Sequence, residues 1–193
     1  PKLALYQAEP RPVKLPKSPG ALPSRHPPSG GVVGNAPSLT CQNLGHFASR
    51  HLPQGGAVVG GGSNGNIGGS GNVMDIIGTG SNNVAIKWEQ FNIANGETVN
   101  FKNMANVLNY VTGNTKSEIY GTLNGQGVNV FLLNPNGILF GSTAQVNVGN
   151  LVASTRAIDK VDQSVFSGGG NPLATAATTA AGDIINLGKL QTT

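Results

Sequence analysis

The sequence predicts an all-β protein built from many short strands joined by sharp corners, and three features carry that expectation. The 193 residues include 29 glycines and 22 asparagines, and only 10% are charged. Glycine is a poor helix former, and both residues favour turns. They interrupt short Val/Ile/Leu runs at close intervals, which is the pattern of short strands with frequent corners. Finally, residues 128–141 read VNVFLLNPNGILFG, two runs of strand formers on either side of Asn134-Pro135-Asn136-Gly137. Proline at the second position of a four-residue turn pre-sets its backbone angle, asparagine side chains bond to nearby backbone, and glycine closes the turn.

Residues 1–51 have a character of their own. Eight prolines fall between Pro10 and Pro37 with little hydrophobic periodicity, so this segment is expected to be an extended, poorly ordered leader or linker. A docking arm for an acidic partner is the alternative. The net charge of +4 is concentrated there: residues 1–54 carry +5 and residues 55–193 carry −1. The folded part is therefore nearly neutral and lacks the basic groove of a nucleic-acid binder, so no nucleic-acid partner is expected.

From residue 52 the chain reads as one domain, 52–193, of short alternating segments. Val84, Ile86 and Trp88 fall on one face of a strand with Lys87 on the other, as a half-buried strand requires. Val99 and Phe101 repeat the pattern, followed by Ile119, Gly121 and Leu123, then Val128, Val130 and Leu132, then Val146 and Val148, then Ile185 and Leu187. The core is expected to hold Val84, Ile86, Trp88, Val99, Phe101, Val128, Val130 and Leu132. Trp88, at an inward strand position, reads as packing and not as a sugar-stacking platform.

Signals for other chemistry fail on inspection. No run approaches the 18 apolar residues of a membrane span, and no uncleaved signal peptide is visible. A chain that opens on Pro1 and not Met is expected to be a processed or recombinant piece. Cys41 is the single cysteine, so the fold stands without an intrachain disulfide. That suits a cytosolic protein, and equally an exported one that must stay unfolded before crossing a narrow pore. Gly60–Gly65 fits a GxGxxG pattern, but more glycine and serine follow where a helix should begin. His26, His46 and His51 lie in or beside the leader without paired cysteines, so neither a metal nor a cofactor is expected. Seven acidic residues after position 55 are scattered singly apart from Asp159 and Asp162, which argues against the clustered carboxylates of a polysaccharide lyase or hydrolase. The chain is therefore not expected to be an enzyme, with a β-helical polysaccharide-active enzyme or a direct glycan-binding adhesin module as the rival readings.

Two architectures fit the pattern about equally. Asn-Gly between strands is a hairpin signal, which favours an antiparallel sandwich. A parallel β-helix also turns two or three corners per coil, stacks its coils over an aliphatic interior, and can place asparagines in amide ladders.

An ordered series of motifs separates them. LPQGG at 52–56, IKWEQFNI at 86–93, GETVNF at 96–101, LNYVTG at 108–113, IYGTL at 119–123, VFLLNPNGILFG at 130–141 and LVAST at 151–155 resemble, in order and spacing, the N-terminal secretion domains of the filamentous haemagglutinin family. The resemblance implies a right-handed parallel β-helix (β-solenoid) with extra short strands or hairpins and an N-terminal cap. It also implies a place at the amino end of a large exoprotein, an adhesin or haemagglutinin. The partner implied is a cognate outer-membrane β-barrel transporter with periplasmic recognition domains, through which the passenger leaves the periplasm of a Gram-negative cell and folds outside. Any host surface receptor would belong to regions downstream, and a monomer is expected. The family's secretion motif maps onto Asn134, Pro135, Asn136 and Gly137, with Ile138 following, as a site for transporter recognition or for nucleating the first coils. A second asparagine-proline motif of some members has no counterpart, since 101–109 runs FKNMANVLN. This places the chain with the adhesin-like branch.

Overall fold

A computed structural model describes residues 3–6, 52–59, 65–80, 82–158, 160–174, 176 and 182–193. The strands run β1 Leu3–Tyr6, β2 Ala57–Val59, β3 Gly65–Ser70, β4 Val73–Gly78, β5 Asn83–Trp88, β6 Thr98–Lys102, β7 Asn106–Val111, β8 Ser117–Ile119, β9 Thr122–Leu133, β10 Ile138–Phe140 and β11 Gln145–Ser154. A single described helix, α1 Lys160–Ser167, precedes β12 Ile184–Asn186 and β13 Lys189–Thr192. Cys41, the three histidines, residues 60–64 and, apart from β1, the leader lie outside the described residues.

Strand pairing selects the solenoid over the sandwich. Along one face β4, β6, the first arm of β9, the first arm of β11 and β13 pair in parallel, and along a second face β5, β7, the second arm of β9 and the second arm of β11 do the same. A third, three-stranded face stacks β8, β10 and β12, also parallel. The result is a parallel β-solenoid of about four coils, with 21 to 25 residues separating the Asn and Asp side chains that bond in ladders from one coil to the next. The two antiparallel pairings sit at the amino end, β2 on β5 and β3 on β4. They cover the edge of the first coil, which is the usual way a sheet edge is kept from pairing with other chains.

Inward residues of the three faces build one continuous core. Val84, Ile86, Trp88, Val99, Phe101, Val128, Val130 and Leu132 all lie in it. Trp88 meets Phe91 edge to face at 5.5 Å, and its indole N–H donates to Asn109 Oδ1 at 3.0 Å. Thus the one polar atom of that large side chain is satisfied inside the apolar interior. A second cluster forms on the outside of the second face, where Phe166 and Leu173 cover Ala85, Leu108, Tyr110 and Leu133. Phe166 packs edge to face on Phe131 at 5.6 Å. The α1 segment interrupts the fourth coil and supplies this cover.

Several Asn-Gly pairs do not make hairpins. Asn124-Gly125 lies within β9, and Asn136-Gly137 joins strands that belong to different sheets. The described hairpin turn is Gly71-Asn72, between β3 and β4. In a coil, a corner redirects the chain to the next face, so turn residues need not reverse it onto its own strand.

Candidate functional site: the corner at residues 134–137

The corner closes as a four-residue turn, with the Gly137 N–H donating to the Asn134 carbonyl at 3.0 Å. Among described residues outside glycine only Asn103 has positive φ, so Asn136 keeps a negative φ and Gly137 takes φ +113°. This matches a type I turn, with asparagine first, proline second and glycine last. The Asn134 side chain braces the turn from within: its Oδ1 accepts from the Asn136 N–H at 2.9 Å and from Asn136 Nδ2 at 3.0 Å.

The same residue ties three coils together. Asn134 Nδ2 donates to the Thr115 carbonyl and to Ser117 Oγ, both at 3.0 Å, in the coil before. Its backbone N–H donates to the Ser154 carbonyl at 3.0 Å, in the coil after. Both donors and both acceptor lone pairs of the side-chain amide are therefore used, and Asn134 is 0% exposed. Asn136 reaches outward and back, with Nδ2 donating to the Gly113 carbonyl at 2.8 Å. From the other side, the Pro135 carbonyl accepts from the Gly182 N–H at 3.1 Å and the Ile138 N–H donates to the Asp183 carbonyl at 2.9 Å. A Cβ at Gly137 would lie 3.0 Å from the Asp183 carbonyl oxygen, a tight contact, and its φ of +113° selects glycine. Ile138 points into the core and is buried.

Of the five residues singled out in the sequence, Pro135 is half-buried, Asn136 is exposed, and Asn134, Gly137 and Ile138 are buried. The structure brings them together with Thr115, Ser117, Ser154 and Gly182, none of which sequence reasoning had connected to the corner. Two ladders also escaped it. Asn106, Asn129 and Asn150 each donate to the asparagine of the preceding coil, beginning at Asn83, with spacings of 23, 23 and 21 residues. Asn100, Asn124 and Asn147 do likewise on Asp75, with spacings of 25, 24 and 23. That recurrence is the signal in the sequence that could have revealed the coil length.

Away from the corner, charged groups on the first face act within the scaffold. Lys102 Nζ lies 2.9 Å from Asp75 Oδ2, and the bonds from Lys102 and then Asn100 hold the Asp75 carboxyl below its usual range. Burial pushes the Tyr110 phenol up, partly opposed by its bond with Gln163. Among the described residues no group of three or more His, Cys, Asp or Glu side chains is placed to hold a metal ion.

Comparison with known proteins agrees with this geometry. The family model of the TPS secretion domain matches residues 49–193. The chain is 34% identical over 153 residues to a heme/hemopexin-binding protein of Haemophilus influenzae, covering 76% of this chain and 16% of that protein, and 33% identical over 88 residues to a second protein of the same name, covering 44% of this chain and 9% of that protein. Among solved structures it is similar to the HMW1 secretion domain of Haemophilus influenzae, with a TM-score of 0.58 and 31% identity over 70% of this chain and 35% of that one. The chain thus spans only a small fraction of the length of these curated relatives. With its parallel coils and its Asn-Pro-Asn-Gly corner, the chain belongs to the TPS (two-partner secretion) domain family, the secretion domains of exoproteins that are exported across the outer membrane.

Proposed function

We propose that this domain is recognised as unfolded chain by a cognate outer-membrane β-barrel transporter with periplasmic recognition domains, and that its first coils assemble outside the cell. The 134–137 corner acts in that assembly: it is a lock between coils, not a surface read on the folded domain. The observation that carries this reading is the complete burial of Asn134, whose side-chain amide bonds the coil before and its own corner while its backbone N–H bonds the coil after. A transporter module meeting the folded domain could touch only Asn136 and part of Pro135.

The energetic logic is simple. A domain of this size gains about 5–15 kcal/mol on folding, and a solenoid can add coils one at a time as chain emerges. Folding confined to the outside opposes backward slippage. Before folding, extended segments within 84–133 have unpaired backbone groups that could add to a sheet edge of the transporter. Catalysis has no part in this reading. Asp75 pairs with Lys102, Glu118 lies 3.2 Å from Lys116, and Glu97 Oε2 accepts the Ala94 N–H, so these carboxylates serve the scaffold. Ligand binding by a complete exoprotein belongs, in this reading, to regions beyond the secretion domain.

The test is export of Asn134→Ala and Asn136→Ala variants with the transporter present, alongside urea unfolding of each purified variant. Asn134→Ala should lose both stability and export, while Asn136→Ala should keep most of each. An Asn134→Ala variant as stable as the parent but no longer exported would show that the residue is read directly, and would end the lock reading.

A further inference from the structure

Asparagine followed by glycine occurs at 64–65, 95–96, 124–125 and 136–137, and Asn64 lies outside the described residues. The pair is chemically labile, because glycine has no Cβ to crowd its backbone nitrogen, which can attack the amide carbon of the asparagine before it. Attack requires a side chain free to rotate and a nitrogen free of other bonds. The fold restrains two of the pairs. Asn124 lies in β9 with its amide engaged at both ends, donating to Asn100 at 3.2 Å and accepting from Asn147 at 3.1 Å. Asn136 Nδ2 donates to the Gly113 carbonyl and to Asn134 Oδ1, and the Gly137 N–H is held by the Asn134 carbonyl at 3.0 Å. Asn95-Gly96 is different. It forms the middle of the turn 94–97, closed by the Glu97 N–H on the Ala94 carbonyl at 3.0 Å, and Gly96 has the φ of +82° that a type II turn places third. Both residues are exposed, and a Cβ on Gly96 would meet no atom within 4 Å. The Gly96 carbonyl accepts from Asn72 Nδ2, but among the described residues neither the Asn95 amide nor the Gly96 N–H has a hydrogen-bond partner.

The geometry points to Asn95 as a spontaneous modification site of the folded domain, where the side-chain amide is lost and aspartate or isoaspartate takes its place, while folding shields Asn124 and Asn136. The Gly96 nitrogen gives its proton to solvent base and bonds to Asn95 Cγ. The Cγ–Nδ2 bond then breaks, and the departing nitrogen takes up a proton and leaves as ammonia. A five-membered succinimide remains, and water adds to one of its two carbonyl carbons. Opening at Cγ gives aspartate; opening at the main-chain carbonyl carbon gives isoaspartate, whose backbone runs through the former side chain. Both products place a new carboxylate near Glu97, and isoaspartate also lengthens the turn by one carbon. That lengthening falls on a corner that carries the next coil. The Ile93 carbonyl accepts from the Tyr120 and Gly121 N–H groups at 2.7 and 3.0 Å, and the Glu97 carbonyl accepts from the Thr122 N–H at 2.9 Å. Glu97 Oε2 in turn holds the Ala94 N–H at 2.8 Å, so the turn and its stacking depend on one spacing. The 134–137 corner is thereby labile only until the coils close over it, whereas the 94–97 corner goes on ageing in the finished fold.

Peptide mapping by mass spectrometry, with isoaspartate counted by enzymatic methylation, tests this on the 1–193 chain held at mildly alkaline pH. In the folded protein Asn95 should deamidate at least tenfold faster than Asn124 or Asn136, whose reaction waits on local opening. In urea the three rates should converge to within about fivefold, since the unfolded chain keeps little of the structure that separates them. Folded protein carrying isoaspartate at 95 should unfold at a lower urea midpoint than its parent. Asn95→Asp, which adds the charge without the extra backbone carbon, should lower the midpoint less. The inference is overturned by a folded-state rate at Asn95 no faster than at Asn124 or Asn136, by a tenfold excess at Asn95 that persists in urea, or by isoaspartate protein as stable as Asn95→Asp.

Discussion

At the scale of the residue, Asn134 shows why an amide and not a similar side chain occupies the corner. Its nitrogen faces a carbonyl and a hydroxyl, and its oxygen faces two N–H groups, so donor and acceptor ends are both specified. Asn134→Ala leaves the Thr115 carbonyl and the Asn136 N–H without these partners, and should cost about 2–4 kcal/mol of stability in urea titration, since each buried unpaired polar group costs about 1–3 kcal/mol. Asn134→Asp is more informative because it keeps the volume and turns the donor end into a carboxylate oxygen facing the Thr115 carbonyl. The charged form is then disfavoured in the fold, which raises the folded pKa above the unfolded one. Stability of that variant should be greatest below pH 4 or so and fall as pH rises through the raised value, seen as a urea midpoint that improves on acidification. Asn136→Ala removes the exposed bond to Gly113 and the Nδ2 bond to Asn134 Oδ1, which still accepts from the Asn136 N–H, and should cost about 0.5–1.5 kcal/mol.

At the scale of the element, the two ladders set the register of neighbouring strands. A slip of one residue would move every inward side chain outward and would also unmake each amide bond in the column. Each amide nitrogen donates toward the preceding coil, so the group at the base of a ladder has to accept, which the Asp75 carboxylate does in one ladder and the Asn83 amide oxygen in the other. Because its bonds from Lys102 and Asn100 lower the folded pKa, Asp75 contributes stability above its unfolded pKa near 4, and that contribution fades as pH falls through the lowered value. Asp75→Asn should therefore flatten the acid limb of the stability profile, measured as urea midpoints between about pH 2 and 5. In the middle of the same ladder, Asn124→Ala removes a donor to Asn100 and an acceptor for Asn147, and thermal melting should register a loss of about 1–2 kcal/mol.

At the scale of the whole molecule, stability is distributed along one axis. Each coil rests on its neighbours, so destabilisation at the centre breaks two interfaces and at the end only one. Leu132→Ala, in the third coil and fully buried, should cost about 2–5 kcal/mol, whereas Leu190→Ala in β13, partly buried at the last layer, should cost roughly half of that or less. Hydrogen exchange should follow the same gradient, slowest for β7, β9 and the first arm of β11 and fastest for β12 and β13. Uniform protection from β4 to β13 would contradict an architecture of successive coils.

Alternation alone disclosed the strands: Val84, Ile86 and Trp88, or Val128, Val130 and Leu132, announce an inward face because side chains of an extended chain point to opposite sides in turn. The Asn-Pro-Asn-Gly turn was legible for a similar reason, since its angles are set by the four residues themselves. Local pattern could not decide whether Asn-Gly reverses a strand or bends a coil, because the same dipeptide serves both, and only the resemblance of ordered motifs favoured the solenoid in advance. The partners of Asn134, the cover that Phe166 gives to the second face, and the meeting of Leu3–Tyr6 with β11 were decided by tertiary structure. Each joins residues that are neighbours across coils and distant along the chain, and a sequence carries no direct mark of which coil will lie above which.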